Sequence, residues 1–171
     1  MNVKKKIVTI VSKDAFTKKG LLESIEKGLI QDNAISWAAE NGHTELVELL
    51  VSKGADITEN RNYPLELASR NGHTDIVKLL IDSGARTYDS ELDEGYCLRL
   101  AANEGHVEII KLLLDAGANP VADNYHALYL ALTKQNNEIV ELLLDAICQR
   151  RTSVVQKIEN NVWKTKMGSR F

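Results

Sequence analysis

The stretch Asn71-Gly-His-Thr-Asp-Ile-Val-Lys-Leu-Leu-Ile-Asp-Ser-Gly-Ala85 decides the fold, because the chain repeats it. Asn41 to Ala55 reads NGHTELVELLVSKGA, and Glu104 to Ala118 reads EGHVEIIKLLLDAGA. A more distant fourth copy, KQNNEIVELLLDAI, runs from Lys134 to Ile147. Superposed on the histidine, the copies fall at His43, His73, His106 and Asn136, in steps of 30, 33 and 30 residues. Self-similarity at such a period marks a solenoid, in which each unit covers its neighbour.

One unit, from Asn62 to Gly84, carries two helices. Tyr63-Pro64-Leu65-Glu66-Leu67-Ala68-Ser69 opens the first; proline suits an initial turn, where its missing N–H leaves no bond unmade. Ala68 is small enough to admit a neighbouring unit. Asn71-Gly72 reverses the chain. Asp75 stands in the first turn of the second helix, where a negative charge meets the positive helix end. Ile76, Val77, Leu79, Leu80 and Ile81 make that helix apolar over a wide face, as expected of a helix packed on both sides. Gly84 then stops it. Gly42 and Gly105 match Gly72, Gly54 and Gly117 match Gly84, and Trp37-Ala38-Ala39 and Leu100-Ala101-Ala102 match Leu67-Ala68-Ser69.

These blocks, ending in KGAD at 53–56, SGAR at 83–86 and AGAN at 116–119, resemble ankyrin repeats over roughly residues 32–148. The family unit is a β-turn plus two antiparallel helices with a T-P-L-H-x-A signature. That signature is degenerate here: NAIS at 33–36, YPLE at 63–66, YCLR at 96–99 and HALY at 126–129. In style the repeats are similar to those of bacteriophages and large DNA viruses. The resemblance implies an all-α ankyrin-repeat solenoid of stacked helix-turn-helix units joined by short β-turn or hairpin loops. Residues 1–31 read as an N-terminal capping segment, 32–148 as four repeats, and 149–171 as a C-terminal capping helix with a basic tail.

The two steps of 30 place a three-residue deletion in the loop between units. Gly54 to His73 and Gly117 to Asn136 both span 19 residues, whereas Gly84 to His106 spans 22. The full-length loop, Thr87 to Gly95, reads TYDSELDEG and is expected to project as one acidic finger. At the ends, Leu21, Leu22, Ile25 and Leu29 have helical spacing. Ser153 with Gln156 has the spacing of a capping box, predicting a fresh helix start before Val154, Val155, Ile158, Val162 and Trp163.

Charge is unevenly spread. Residues 1–27 hold 7 Lys/Arg and 3 Asp/Glu (+4), and residues 149–171 hold 6 and 1 (+5). That leaves 8 and 20 for residues 28–148, a net −12. An acidic body between basic ends favours a basic partner. The basic ends also raise the alternative of a nucleic-acid-associated protein, although no aromatic residues interleave with the charge. Lys4-Lys5-Lys6 and the apolar run Ile7 to Val11 resemble a signal-peptide start, but the run is too short and lacks a small-residue cleavage site. No stretch approaches membrane-span length. Cys97 and Cys148 have no metal-like spacing and lie in apolar helical contexts, so both are expected as buried thiols of a cytoplasmic protein.

Catalytic, cofactor and metal sites are all expected to be absent. His43, His73 and His106 occupy one place in successive units, hence lie a repeat apart, too far to share a proton or a metal ion. They are expected to start helices and bond adjacent loop backbone. No phosphate-binding glycine loop or Gly-x-Ser-x-Gly motif occurs. The finger lacks the glycine and the spaced glutamate of a calcium loop.

The resemblance implies a partner on the concave face built from first helices and loop tips. Position by position, the groove residues are Glu40 and Asn41, Arg70 and Asn71, Asn103 and Glu104, Thr133 and Lys134. The tips add Glu59, Asn60 and Arg61, then Glu91, Leu92, Asp93 and Glu94, then Asp123, Asn124 and Tyr125. Leu92 and Tyr125 are the apolar anchors among them. The reading at this level is a monomeric, non-catalytic adaptor or inhibitor that docks on a protein, with a regulatory subunit of a separate enzyme as a further alternative.

Overall fold

The computed structural model describes residues 18–27, 33–87 and 95–168. Its elements are α1 (Lys18–Glu26), α2 (Ala34–Glu40), α3 (Thr44–Ser52), α4 (Glu59–Asn71), α5 (Thr74–Asp82), α6 (Tyr96–Glu104), α7 (Val107–Asp115), α8 (Ala122–Thr133) and α9 (Asn137–Gly168). They form two layers. The first helices of the repeats, α2, α4, α6 and α8, stack in order, and the second helices, α3, α5, α7 and α9, stack behind them. The described residues contain helices and no strands, as the repeat pattern requires.

The core lies between the layers. Leu46, Val47 and Leu50 of α3, Ile76, Val77 and Leu80 of α5, and Ile109, Ile110 and Leu113 of α7 are all buried. Facing them, Ala38, Ala68, Ala101 and Ala131 are fully buried in the first-helix layer. Alanine there brings adjacent helices close without a gap. At the N-terminal end, α1 packs on α3 and buries Ile25.

The repeated Gly-Ala pair has a mechanical explanation. At the end of α5 the Gly84 N–H donates to the Ile81 carbonyl at 2.9 Å, and the Ala85 N–H to the Leu80 carbonyl at 2.9 Å. Gly84 holds φ at 97°, a left-handed angle that costs glycine nothing, and Ala85 turns inward and is buried. The fourth repeat carries Ile147 at the Gly84 position, and there α9 does not stop. It runs unbroken from Asn137 to Gly168, across the 148/149 boundary.

Two sequence expectations fail at this point. No new helix starts at Ser153, whose hydroxyl donates instead to the Arg150 carbonyl at 2.8 Å, a mid-helix bond to the preceding turn. Of the two thiols, Cys97 is buried but Cys148 is exposed, on the solvent side of α9 next to buried Ile147. Arg150 anchors the overrun. Its guanidinium donates to the carbonyls of Gly117 at 2.9 Å and Ala118 at 3.2 Å, and to Asn119 Oδ1 at 2.8 Å. It thereby caps the chain leaving α7.

Ser69 is fully buried, and its hydroxyl has no hydrogen-bond partner. The equivalent positions hold Ala39 and Ala102. An unpaired buried hydroxyl is a desolvation loss. Ser69→Ala is therefore expected to leave stability unchanged or raise it by about 1 kcal/mol, read as a higher urea midpoint. A drop of similar size would show that the hydroxyl is satisfied in solution.

Candidate partner-binding surface

The surface is framed by how each repeat is bolted to the last. The final carbonyls of a helix lack partners within the helix. Here the next repeat supplies them: the His73 Nε2–H donates to the Glu40 carbonyl at 3.0 Å, and the His106 Nε2–H to the Arg70 carbonyl at 2.9 Å. The histidines thus bond the last turn of the preceding first helix rather than loop backbone. The Asn71 amide adds a second bond to the Glu40 carbonyl at 3.2 Å. His43 packs its ring against Trp37, with centroids 5.1 Å apart. In the fourth repeat, Asn136 replaces histidine and accepts from the Ile139 N–H at 3.2 Å, capping α9.

The groove residues lie at the ends of the first helices, in one row. Glu40, Asn41, Arg70, Asn71, Glu104, Thr133 and Lys134 are exposed, and Asn103 is half-buried. Several have internal work. The Asn41 amide bonds the Trp37 carbonyl at 2.8 Å, and Asn103 bonds Glu104 at 2.8 Å. The row is electrically balanced, with Glu40 and Glu104 against Arg70 and Lys134. The acidity sits in the other layer, on exposed Glu45, Glu48, Asp75, Asp82, Glu108, Asp115, Glu138, Glu141 and Asp145. There Lys111 reaches both Glu108, at 3.1 Å, and Glu138, at 3.7 Å, and its bond to Glu108 raises its pKa.

The two shortened loops are not hairpins. Each closes through three consecutive left-handed residues: Asn60, Arg61 and Asn62 at φ 47°, 64° and 65°, and Asp123, Asn124 and Tyr125 at φ 47°, 52° and 63°. Such a turn costs about 1–2 kcal/mol per residue, least for Asn and Asp. It packs the reversal into three fewer residues than the full-length loop. Side chains hold it down. Glu59 accepts from the Ser36 hydroxyl, and the Asn60 amide donates to Asn33 Oδ1 at 3.1 Å. Asp123 pairs with Arg99 of the preceding repeat, at the position equivalent to Ser36, and with His126 Nδ1 at 2.9 Å. The bond from His126, then that from Arg99, hold the Asp123 carboxyl below the ordinary carboxylate range. Asn60, Arg61, Asn124 and Tyr125 remain exposed. The finger residues Glu91, Leu92, Asp93 and Glu94 lie outside the described residues.

Two exposed apolar side chains of α8 escaped the sequence reading. Tyr129 is 62% and Leu132 55% exposed, both on α8 with Tyr125, which is 49% exposed. Their signal was a departure from the repeat pattern. Tyr129 replaces Ser36, Glu66 and Arg99, and Leu132 replaces Ala39, Ser69 and Ala102. Among the described residues, no group of three or more His, Cys, Asp or Glu could hold a metal ion, and no helix is long and apolar enough to cross a membrane.

The family model described as ankyrin repeats (3 copies) matches residues 10–91 and 87–153. No curated protein matches the chain at a significant level. Repeats of this family are protein–protein interaction modules and are typically non-catalytic. The matched residues cover most of the chain, and the stacked helix pairs, Gly-Ala stops and histidine bolts give the match its physical content; this chain belongs to the ankyrin-repeat family.

Proposed function

We propose that the protein is a non-catalytic adaptor or inhibitor that docks on a protein partner through its first-helix face and loop tips. The observation that carries this reading is the row of groove residues fixed on a bolted scaffold, together with exposed Tyr125 on a left-handed turn tied down by the Arg99–Asp123 pair. A rigid aromatic side chain on a pre-ordered turn loses little entropy on binding, which favours it as an anchor. The partner we propose has a basic surface. The acidic second-helix layer would draw it in and speed association at low salt. The style of the repeats supports a viral protein acting on a host target in the cytoplasm.

Affinity capture from host lysate with the full chain tests the proposal. A stoichiometric partner is expected, with capture weakened about tenfold, or about 1.4 kcal/mol, by Tyr125→Ala and similarly by Leu92→Arg. Capture that survives both changes together sinks the assignment to tips and finger. Salt-sensitive DNA binding lost on neutralising the basic residues of 149–171 would favour the nucleic-acid reading instead.

A further inference from the structure

The large apolar side chains exposed among the described residues are Tyr63, Tyr125, Tyr129, Leu132 and Leu144, and all but Tyr63 belong to the fourth repeat. They occupy positions that are covered in the earlier repeats. Ala39, Ser69 and Ala102 are fully buried, whereas their equivalent, Leu132, is 55% exposed. Ser36, Glu66 and Arg99 are buried or half-buried, whereas Tyr129 is 62% exposed. Val51, Ile81 and Leu114 are half-buried, whereas Leu144 is 45% exposed. Among the described residues no further repeat stands beside them, and α9 runs on as one helix to Gly168.

The residue types at this end say what fits it. Terminal repeats need a polar outer face to stay apart in water. Tyr129, Leu132 and Leu144 carry no charge. Nor is the face shaped for one more repeat in the usual register. Leucine and tyrosine stand where alanine or serine and Ser36 admit the next helix pair elsewhere, and such added bulk blocks the close approach of a neighbouring helix. The N-terminal end differs again. There α1 buries Ile25 against the first repeat, and the exposed residues described, Lys19, Glu23, Glu26 and Lys27, are all charged. Head-to-tail stacking would press the apolar end of one copy on the charged end of the next. Side-by-side contact through the second-helix layers would oppose like charges, since residues 28–148 carry −12. The apolar end of one copy is matched by the same end of another. Together the four side chains leave on the order of 400 Å² bare, within the range that marks an interaction site. Doubled across two copies, with their rims, they bury about 1,000 Å², the small end of specific interfaces.

We infer that two copies associate end to end about a two-fold axis, each setting Tyr129, Leu132 and Leu144 against the same residues of the other. The contact is isologous and closes on itself, so it forms a dimer rather than a filament. It departs from the monomer expected from sequence. Tyr125 lies at its edge, whereas Leu144, on the second-helix layer, is remote from the groove and reports on the dimer alone.

Sedimentation and light scattering of the full chain test this. For so small a contact, a reversible dimer is expected between about 10 µM and 1 mM. Raising salt should leave it intact or tighten it, because the contact is apolar and salt screens the repulsion between the acidic arrays. Leu144→Asp and, separately, Leu132→Asp should each weaken it at least about tenfold with the helical circular dichroism retained. If one variant does not fold, the other decides alone. Leu144→Asp should still capture any partner held by the groove, which separates failure of the dimer from failure of the partner reading. A monomer throughout the concentration range overturns the inference, as does a dimer that dissociates with salt or that neither change weakens. So does a monomer whose melting temperature falls on Leu144→Asp, which would mean that the chain covers this face itself.

Discussion

Leu80→Ala is expected to destabilise the protein by about 3–4 kcal/mol, seen as a lowered urea midpoint. Leu80 is fully buried in α5, between the second helices of the repeats on either side. Truncation removes three side-chain carbons from water-free contacts and leaves a hole that only the helices around it can close. Those helices are held in position by neighbours on two sides, so relaxation is limited. A domain of this kind has about 5–15 kcal/mol in total, and the loss would be a large share of it. Lys78, on the exposed side of the same helix, provides the control: Lys78→Ala should stay within about 0.5 kcal/mol. Equal effects at the two positions would mean that α5 packs through a different face.

Gly72→Ala is expected to cost about 2–4 kcal/mol by the same measurement, combining backbone strain with a broken inter-repeat bond. Gly72 holds φ at 79°, which alanine adopts only under strain. An added Cβ would also lie 2.7 Å from Cε1 of the His106 ring. The ring must move, and its bond to the Arg70 carbonyl is lost, leaving that carbonyl unpaired. Gly117→Ala separates the two terms. Its φ of 91° imposes similar strain, but nothing stands within 4 Å of the new Cβ. It should cost only about 1–2 kcal/mol. If the two variants lose equal stability, the histidine bolt contributes nothing measurable.

The fold was legible because each repeat writes the same instruction several times. The Gly-Ala pair announces a helix stop, and the structure shows why: glycine takes the left-handed angle and alanine turns into the core. The candidate surface was only partly legible. The groove positions were carried over from the family resemblance, as the two residues after each Ala-Ala pair, and all but half-buried Asn103 are exposed at the ends of the first helices. That Glu59, Asn60, Asn71 and Asp123 also bond the neighbouring repeat could not be read from spacing, because those contacts cross more than twenty residues of chain. The three-residue deletions were visible, but not the left-handed turns that absorb them. Sterics disfavour that conformation for every residue involved, and bonds to the preceding repeat, with the His126 bond to Asp123, help to hold it.

What the sequence by itself determined is the local part within the repeats: the Gly-Ala helix stops, the repeat register and the apolar face of each second helix. These depend on side chains within a few residues of one another, so a linear reading reaches them. Only the tertiary structure decided what each repeat does to the next: the histidine rings on the preceding carbonyls, the tethered turns, the placement of acid on the second-helix layer, and the exposure of Tyr129, Leu132 and Leu144. Exposure is set by whether a neighbour is present. The same position is buried as Ala39, beneath the following repeat, and exposed as Leu132, beside which no further repeat stands among the described residues.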